Sequence, residues 1–183
     1  MIPAPHASDV DLLANVVAGD ADAVRTLLDC AGDVLYGFVY ARVGGDAAAA
    51  EDIVQETFLE AVRSAHTFRG DAALRTWLCA IARRRLARYY EAERRQELSQ
   101  SGLRLVGDED TADEGADIDR RDEVVRALGT LPTVHRQVLV LKYLDDRSVE
   151  DIAAELGRSR VQVQSLLQRA RAGLRRALEA GSA

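Results

Sequence analysis

The chain reads as all-α, with two small helical domains joined by a flexible acidic linker. Three observations carry that reading. Apolar residues recur at three- and four-residue intervals in nearly every periodic segment, the spacing that places side chains on one face of a helix. Between Ser99 and Asp117 the periodicity fails, and glycines and acidic residues replace it. Residues that start and stop helices recur where the periodic segments begin and end. A length of 183 residues allows one ordinary domain or two small ones. With 48% hydrophobic and 30% charged residues the chain can bury a core and keep a charged surface, which excludes wholesale disorder. No apolar run approaches the roughly 18 to 20 residues of a membrane span. The N-terminus, Met1 to Asp11, lacks the basic start and apolar stretch of a leader, so a cytoplasmic protein is expected. Cys30 and Cys79 stand far apart, without Cys or His at ligand spacing. Neither a disulfide framework nor a zinc site is supported, and two buried reduced thiols are expected.

The elements follow in order. Val10, Leu13 and Val17 make a first helix over Asp9 to Ala18, ended by Gly19 with Asp20 as the next N-cap. A second helix is expected over Ala21 to Val43, with Val24, Leu27, Leu28, Ala31, Leu35, Phe38 and Val39 as its apolar stripe. Gly44, Gly45 and Asp46 close it and cap a third, Ala47 to Ala65, with Ile53, Phe58, Leu59 and Val62 facing inward. A polar loop, Thr67 to Asp71, precedes a fourth helix over Ala72 to Gln96, with Leu74, Trp77, Leu78, Ile81, Ala82 and Leu86 along one side. Four such helices can close a bundle. Helical pattern resumes over Asp119 to Gly129, Leu131-Pro132 forces a turn, and another helix follows over Val134 to Leu144. The last two helices start at Ser148-x-x-Asp151 and Ser159-x-x-Gln162, each a hydroxyl followed three residues later by a polar acceptor.

A net charge of -6 hides an uneven distribution. Residues 108 to 123 hold 9 acidic and 2 basic side chains, whereas residues 124 to 183 hold 6 and 10. Gly157 to Leu178 contains Arg158, Arg160, Arg169, Arg171, Arg175 and Arg176 and no acidic residue, a local field that attracts phosphates. Arg83, Arg84, Arg85, Arg88, Arg94 and Arg95 form a second basic cluster. Two basic surfaces flank one acidic segment, which is either a solvated spacer or a charged contact surface.

The final two helices, Ser148 to Leu156 and Ser159 to Glu179, are joined by Gly157-Arg158, which is helix-turn-helix geometry. Apolar contacts between Ile152, Ala153, Leu156 and Val163, Leu166, Leu167 would hold the pair. The outer face would carry Arg160, Gln162, Gln164, Ser165 and Arg169 toward a major groove, where Arg reads guanine and Gln reads adenine. The alternative is a simple bundle pair with a solvated arginine surface.

Two stretches then show a resemblance. "AEDIVQETFLEAVRSAHTFRG", with its continuation to Arg95, resembles region 2 of sigma-70-type transcription initiation factors, and "LPTVHRQVLVLKYL", with its continuation to Leu178, resembles their region 4. Their order, spacing and compact length match the extracytoplasmic function subgroup. The resemblance implies region 2 over 9–97, an acidic flexible linker over 98–118 and region 4 over 119–179. It implies a transcription initiation factor that binds core RNA polymerase, recognises promoter -10 and -35 elements, aids melting and is held by an anti-sigma factor. Asp52, Gln55, Glu56 and Phe58 match the family's "D..QE.F" pattern, implying contact with the clamp helices of the largest polymerase subunit; region 4 would meet the flap. Phe68, Arg69 and Asp71 fall in the segment for flipped -10 bases, where Phe68 could equally cap the core; Arg83, Arg84, Arg85 and Arg88 would meet nearby phosphates. Trp77 is expected in the core. Arg158, Ser159, Arg160, Gln162, Gln164, Ser165, Arg169 and Arg171 are the -35 candidates. Where the family commonly reads "GTVKSRL" this chain has "VQVQSLL" at 161–167, so Val161, Gln162, Gln164 and Leu166 depart from the pattern and two usual cations are lost. The resemblance also implies that the acidic segment passes through polymerase channels that later hold RNA, where its charge would suit basic walls.

No acid/base, nucleophile or metal constellation is apparent; His6, His66 and His135 are scattered, and no cofactor is expected. The competing reading is a stand-alone helix-turn-helix regulator, which needs no polymerase.

Overall fold

The computed structural model describes residues 7–99 and 116–181. The fold is all-α. Eight helices run in order among the described residues: α1 Ala7–Val17, α2 Ala21–Val43, α3 Ala47–Arg63, α4 Leu74–Ser99, α5 Ala116–Gly129, α6 Thr133–Leu139, α7 Val149–Leu156 and α8 Arg160–Gly181. The chain divides into two compact units, Met1–Arg88 and Tyr89–Ala183. Most of the acidic linker expected over 98–118, including Asp108, Glu109, Asp110, Asp113 and Glu114, lies outside the described residues. Its edges are helical: α4 continues to Ser99 and α5 begins at Ala116.

In the first unit the helix ends are set locally. The Asp20 carboxylate accepts from the amides of Asp22 and Ala23 at 2.8 and 3.0 Å, and Asp46 accepts from that of Ala49 at 2.9 Å. Gly44 ends α2 at φ 77, a left-handed turn that costs a glycine little, and its N–H donates to the Tyr40 carbonyl. The start of α4 is capped from far away: the Leu74 amide donates to Asp9 at 3.1 Å, satisfying a donor that the helix cannot satisfy itself.

The buried line of α2 is Ala23, Leu27, Ala31, Leu35, Val39 and Val43; Leu27, Ala31, Leu35 and Val39 of the expected stripe lie on it, whereas Val24 and Leu28 are exposed. Four-residue steps advance about 40° around a helix, so this line spirals as α2 passes from α1 to α3, its two principal neighbours. On α3 the inward face is Ala50, Ile53, Thr57 and Ala61. Leu59 and Val62, expected inside, are 56% and 38% exposed, because they lie roughly 200° from Thr57 and 100° from Ala61. Buried Thr57 donates its hydroxyl to the Ile53 carbonyl at 2.7 Å and so brings no unpaired polar group into the core. Leu74, Leu78, Ile81, Ala82 and Leu86 of α4 are buried as expected. Trp77 is only half-buried.

The second unit is built on Leu131, Val138 and Leu139 with Ile152 of α7 and Val163, Leu166, Leu167 and Ala170 of α8. The single helix expected over Val134 to Leu144 has two parts. After Leu139 it widens into a π-helical turn, Val140–Leu144, closed by the Asp145 amide donating to Val140 at 3.0 Å. Both serine starts are capping boxes: Ser148 and Asp151 exchange hydrogen bonds, as do Ser159 and Gln162. Gly157 joins α7 to α8 at φ 61.

Leu27→Ala should cost about 2–5 kcal/mol in urea unfolding, while Leu59→Ala should stay within about 0.5 kcal/mol; equal losses would contradict the observed rotation of α3. The Ser148 hydrogen bonds hold the Asp151 carboxyl below the usual Asp range. A lowered folded value gives stability present above the unfolded one and lost as pH falls through the folded one. Asp151→Asn should therefore lessen the drop in urea midpoint below about pH 4, and an unaltered acid limb would contradict this.

Candidate nucleic-acid and protein interfaces

On α3, Asp52, Gln55 and Glu56 are exposed and share a face, while Phe58 is half-buried. Glu56 and Glu60 each lie 3.1 Å from the Arg85 guanidinium of α4. Arg85, expected at phosphates, is thus half-buried in an intramolecular ion-pair network. Exposed Leu59 and Val62 continue Asp52 and Gln55 at steps of three and four, making one stripe of acid, amide and apolar side chains. The sequence reading missed both, having placed them inside; their spacing from Asp52 was the available signal.

The loop before α4 opens with a short 3₁₀ turn, Ala65–Thr67. Phe68 then turns inward. It is 7% exposed and its ring lies 5.2 Å from that of Trp77, so in this conformation it supports the loop from beneath and cannot stack on a base. Arg69 and Asp71 are exposed on either side of Gly70. Farther along α4, Arg83, Arg84 and Arg88 are exposed. Arg83 sits 5.1 Å from the Phe38 ring, which Arg42 covers from 3.4 Å; cation–π contacts of this kind anchor guanidinium groups at a surface.

In the second unit, burial of Val163, Leu166, Leu167 and Ala170 determines what α8 shows. Val161, Gln164, Ser165 and Gln168 are all exposed and follow helical spacing on one face. Val161 is 74% exposed, and neither it nor Gln168 was among the expected contacts. Gln162 is exposed but its side-chain oxygen accepts from the Ser159 amide at 2.8 Å, so the cap occupies the amide expected to read a base. Arg158 and Ser159 are exposed, and Arg160 pairs with Glu150 of α7 at 2.6 Å.

Arg169 and Arg171 do not act on one face. Two residues apart on a helix, they point about 200° from each other. Arg169 lines a cleft of about 430 Å³ with Pro132, His135, Gly173 and Arg176. Burial, and then Arg169, hold the His135 pKa below the usual histidine value, while Glu97 opposes them. Arg171 instead edges an apolar groove of about 300 Å³ lined by Val124, Leu128, Leu139, Val140, Tyr143, Leu144 and Leu174. The π-helical turn contributes three of those residues. Cys30 and Cys79 are half-buried free thiols. Among the described residues, no helix is long and apolar enough to cross a membrane.

The Sigma-70 region 2 family model matches residues 27–96 and the Sigma-70 region 4 model residues 121–174. The chain is 30% identical over 165 residues to ECF RNA polymerase sigma factor BldN of Streptomyces coelicolor, covering 88% of this chain and 62% of that protein. It therefore spans less than two thirds of BldN's length. It is 35% identical over 176 residues to ECF RNA polymerase sigma factor SigL of Mycobacterium tuberculosis (strain ATCC 25618 / H37Rv), covering 91% and 95%. The sigma factor RpoE from Bartonella quintana, solved in complex with the anti-sigma factor NepR, shares the fold at a TM-score of 0.50 and 23% identity, over 85% of this chain and 96% of that one. Two regional matches in order, together with near full-length similarity to SigL, establish that the chain belongs to the ECF subgroup of the sigma-70 family of RNA polymerase sigma factors.

Proposed function

We propose that the chain is a dissociable promoter-specificity subunit that binds core RNA polymerase, directs it to promoters by their -10 and -35 elements and aids melting. The observation that carries the reading is that one chain exposes two dissimilar surfaces. Over the region 2 match lies the Asp52-Gln55-Glu56 stripe with a nearby loop and arginines; over the region 4 match lies an α8 face of amides, a hydroxyl and an apolar side chain. A stand-alone helix-turn-helix regulator would use only the second. The reading gives the chain no chemistry of its own and no cofactor: bond formation stays with the polymerase, in the cytoplasm.

In this reading Asp52, Gln55 and Glu56 meet the clamp helices of the largest subunit. Acidic side chains there steer a basic partner, and Leu59 and Val62 add apolar area that water now covers. Phe58 sits partly behind them. The apolar groove beside Arg171 suits a hydrophobic segment of the flap. Arg69, Asp71, Arg83, Arg84 and Arg88 serve the -10 element, with Phe68 and Arg85 bracing that surface. At the -35 element Gln164 and Gln168 read adenine and Val161 meets thymine methyls, while Arg158, Arg160 and Arg169 take phosphates. The Arg160 pair with Glu150 is exposed and worth no more than about 1 kcal/mol, so a phosphate can replace it. Restraint by an anti-sigma factor belongs to the same reading, and copurification with an inhibitor tests it.

Run-off transcription with core polymerase on a promoter library should show start-site selection only when the chain is added; unselected initiation would sink the proposal. Within that assay, Gln164→Ala should cost about 1–3 kcal/mol of discrimination at one -35 base pair. Arg158→Ala should instead weaken all sequences alike and flatten the salt slope by about 0.9. Replacing Leu59 and Val62 together by Glu should weaken core association without lowering the melting temperature.

A further inference from the structure

The end of α4 makes a polar clasp inside the second unit. The Thr133 amide donates to Glu97 Oε1 at 2.9 Å, and the Thr133 hydroxyl oxygen lies 2.8 Å from the same atom and 3.2 Å from Glu93 Oε2. Arg136 donates one terminal nitrogen to Glu93 Oε2 and the other to the Gly129 carbonyl at 3.5 Å. The contacts to Glu93 and Glu97 join residues 36 to 43 positions apart in sequence. Thr133 and Arg136 are nearly fully buried, Arg136 at 5% exposure, and the Arg136 Nε is buried with no hydrogen-bond partner. A guanidinium is seldom buried without a dedicated anion.

Tyr90 is buried, but Leu98 is 78% exposed. Glu93 alone pairs with the Arg136 guanidinium, while exposed Glu97 is held by the Thr133 amide and hydroxyl, contacts that solvent or another anion can replace. The clasp also adjoins the cationic cleft. Pro132 and His135, the chain neighbours of Thr133 and Arg136, line that cleft with Arg169 and Arg176, and Glu97 and Arg169 act on the His135 ring with opposite sign. The cleft of Arg169 and Arg176 thus lies one residue along the chain from Thr133 and Arg136, whose carboxylate partners come from the chain itself.

We propose that Thr133 and Arg136 form a binding site for a backbone phosphate of duplex DNA, and that Glu93 and Glu97 occupy it in the free chain as an intramolecular stand-in. The second unit then grips DNA fully only when the end of α4 is displaced. This rests on the reading of that unit as the -35 binder and adds to it a self-blocking contact.

Fluorescence anisotropy of the full chain with a labelled random-sequence duplex, without polymerase and across salt concentrations, tests it. Glu93→Gln with Glu97→Gln should tighten binding roughly tenfold at low salt and steepen the log–log salt slope by about 0.9, one phosphate contact. The matched control, Glu91→Gln with Glu179→Gln, removes the same charge from exposed sites and should fall well short of both changes. Adding Arg136→Gln to the first pair should abolish the gain. Equality of the two double variants, or a gain that survives Arg136→Gln, overturns the proposal. If Arg158→Ala with Arg160→Ala still weakens binding in that event, the -35 reading stands and this inference alone falls. If no variant binds duplex, this inference falls, and the run-off assay with core polymerase decides the -35 reading. Hydrogen exchange on the unmodified chain needs no substitution: saturating duplex should raise exchange over residues 93–99 while protecting α8, and protection of both segments overturns the proposal.

Discussion

The burial of Val163, Leu166, Leu167 and Ala170 against Ile152 and the α6 segment is the contact on which the second unit depends. It sets the rotation of α8 about its own axis, and with it the identity of every side chain offered to a groove. Each of these residues contributes roughly 1.5–3 kcal/mol if fully buried, alanine less. No exposed ion pair on the same helix approaches their sum. Apolar packing therefore decides the geometry, and the polar residues take what that geometry leaves outside.

The polar side chains outside are not all idle. Arg85 holds Glu56 and Glu60, Arg160 holds Glu150, and Gln162 completes a cap. The exposed Arg160–Glu150 pair contributes about 1 kcal/mol or less, so a phosphate or partner side chain can take either member. The clasp of Glu93 and Glu97 on Thr133 and Arg136 differs in degree. Arg136 is buried, and an anion must replace the one removed or its charge is left unpaired, which costs several kcal/mol. Exchange of one anion for another is the transition this site permits.

Much of the architecture was legible along the chain. Asp20, Asp46, Ser148 and Ser159 with Gln162 specify their helix starts through hydrogen bonds spanning two or three residues, so neighbours in sequence suffice to read them. Gly44 and Gly157 mark left-handed turns for the same local reason. The less legible features have distant causes. Asp9 caps α4 across 65 positions, and the π-helical turn after Leu139 is a departure that the regular apolar spacing did not announce. Leu59 and Val62 satisfy an apolar pattern yet lie outside, because a helix carrying more apolar residues than its neighbours can cover must expose some of them.

The sequence by itself determined the all-α class, the order of the helices, the caps that begin them, the cationic character of α8 and the motifs of a sigma-70 family member. Each is a property of composition or of residues a few positions apart. Tertiary structure alone decided that Val24 and Leu28 of α2 and Leu59 and Val62 of α3 lie outside, that Phe68 turns under its loop, that Arg169 and Arg171 point to different surfaces, and that Arg136 is gripped by the end of α4. Those outcomes depend on which helix lies against which, and a one-dimensional pattern specifies spacing along a helix without specifying the neighbour that covers it.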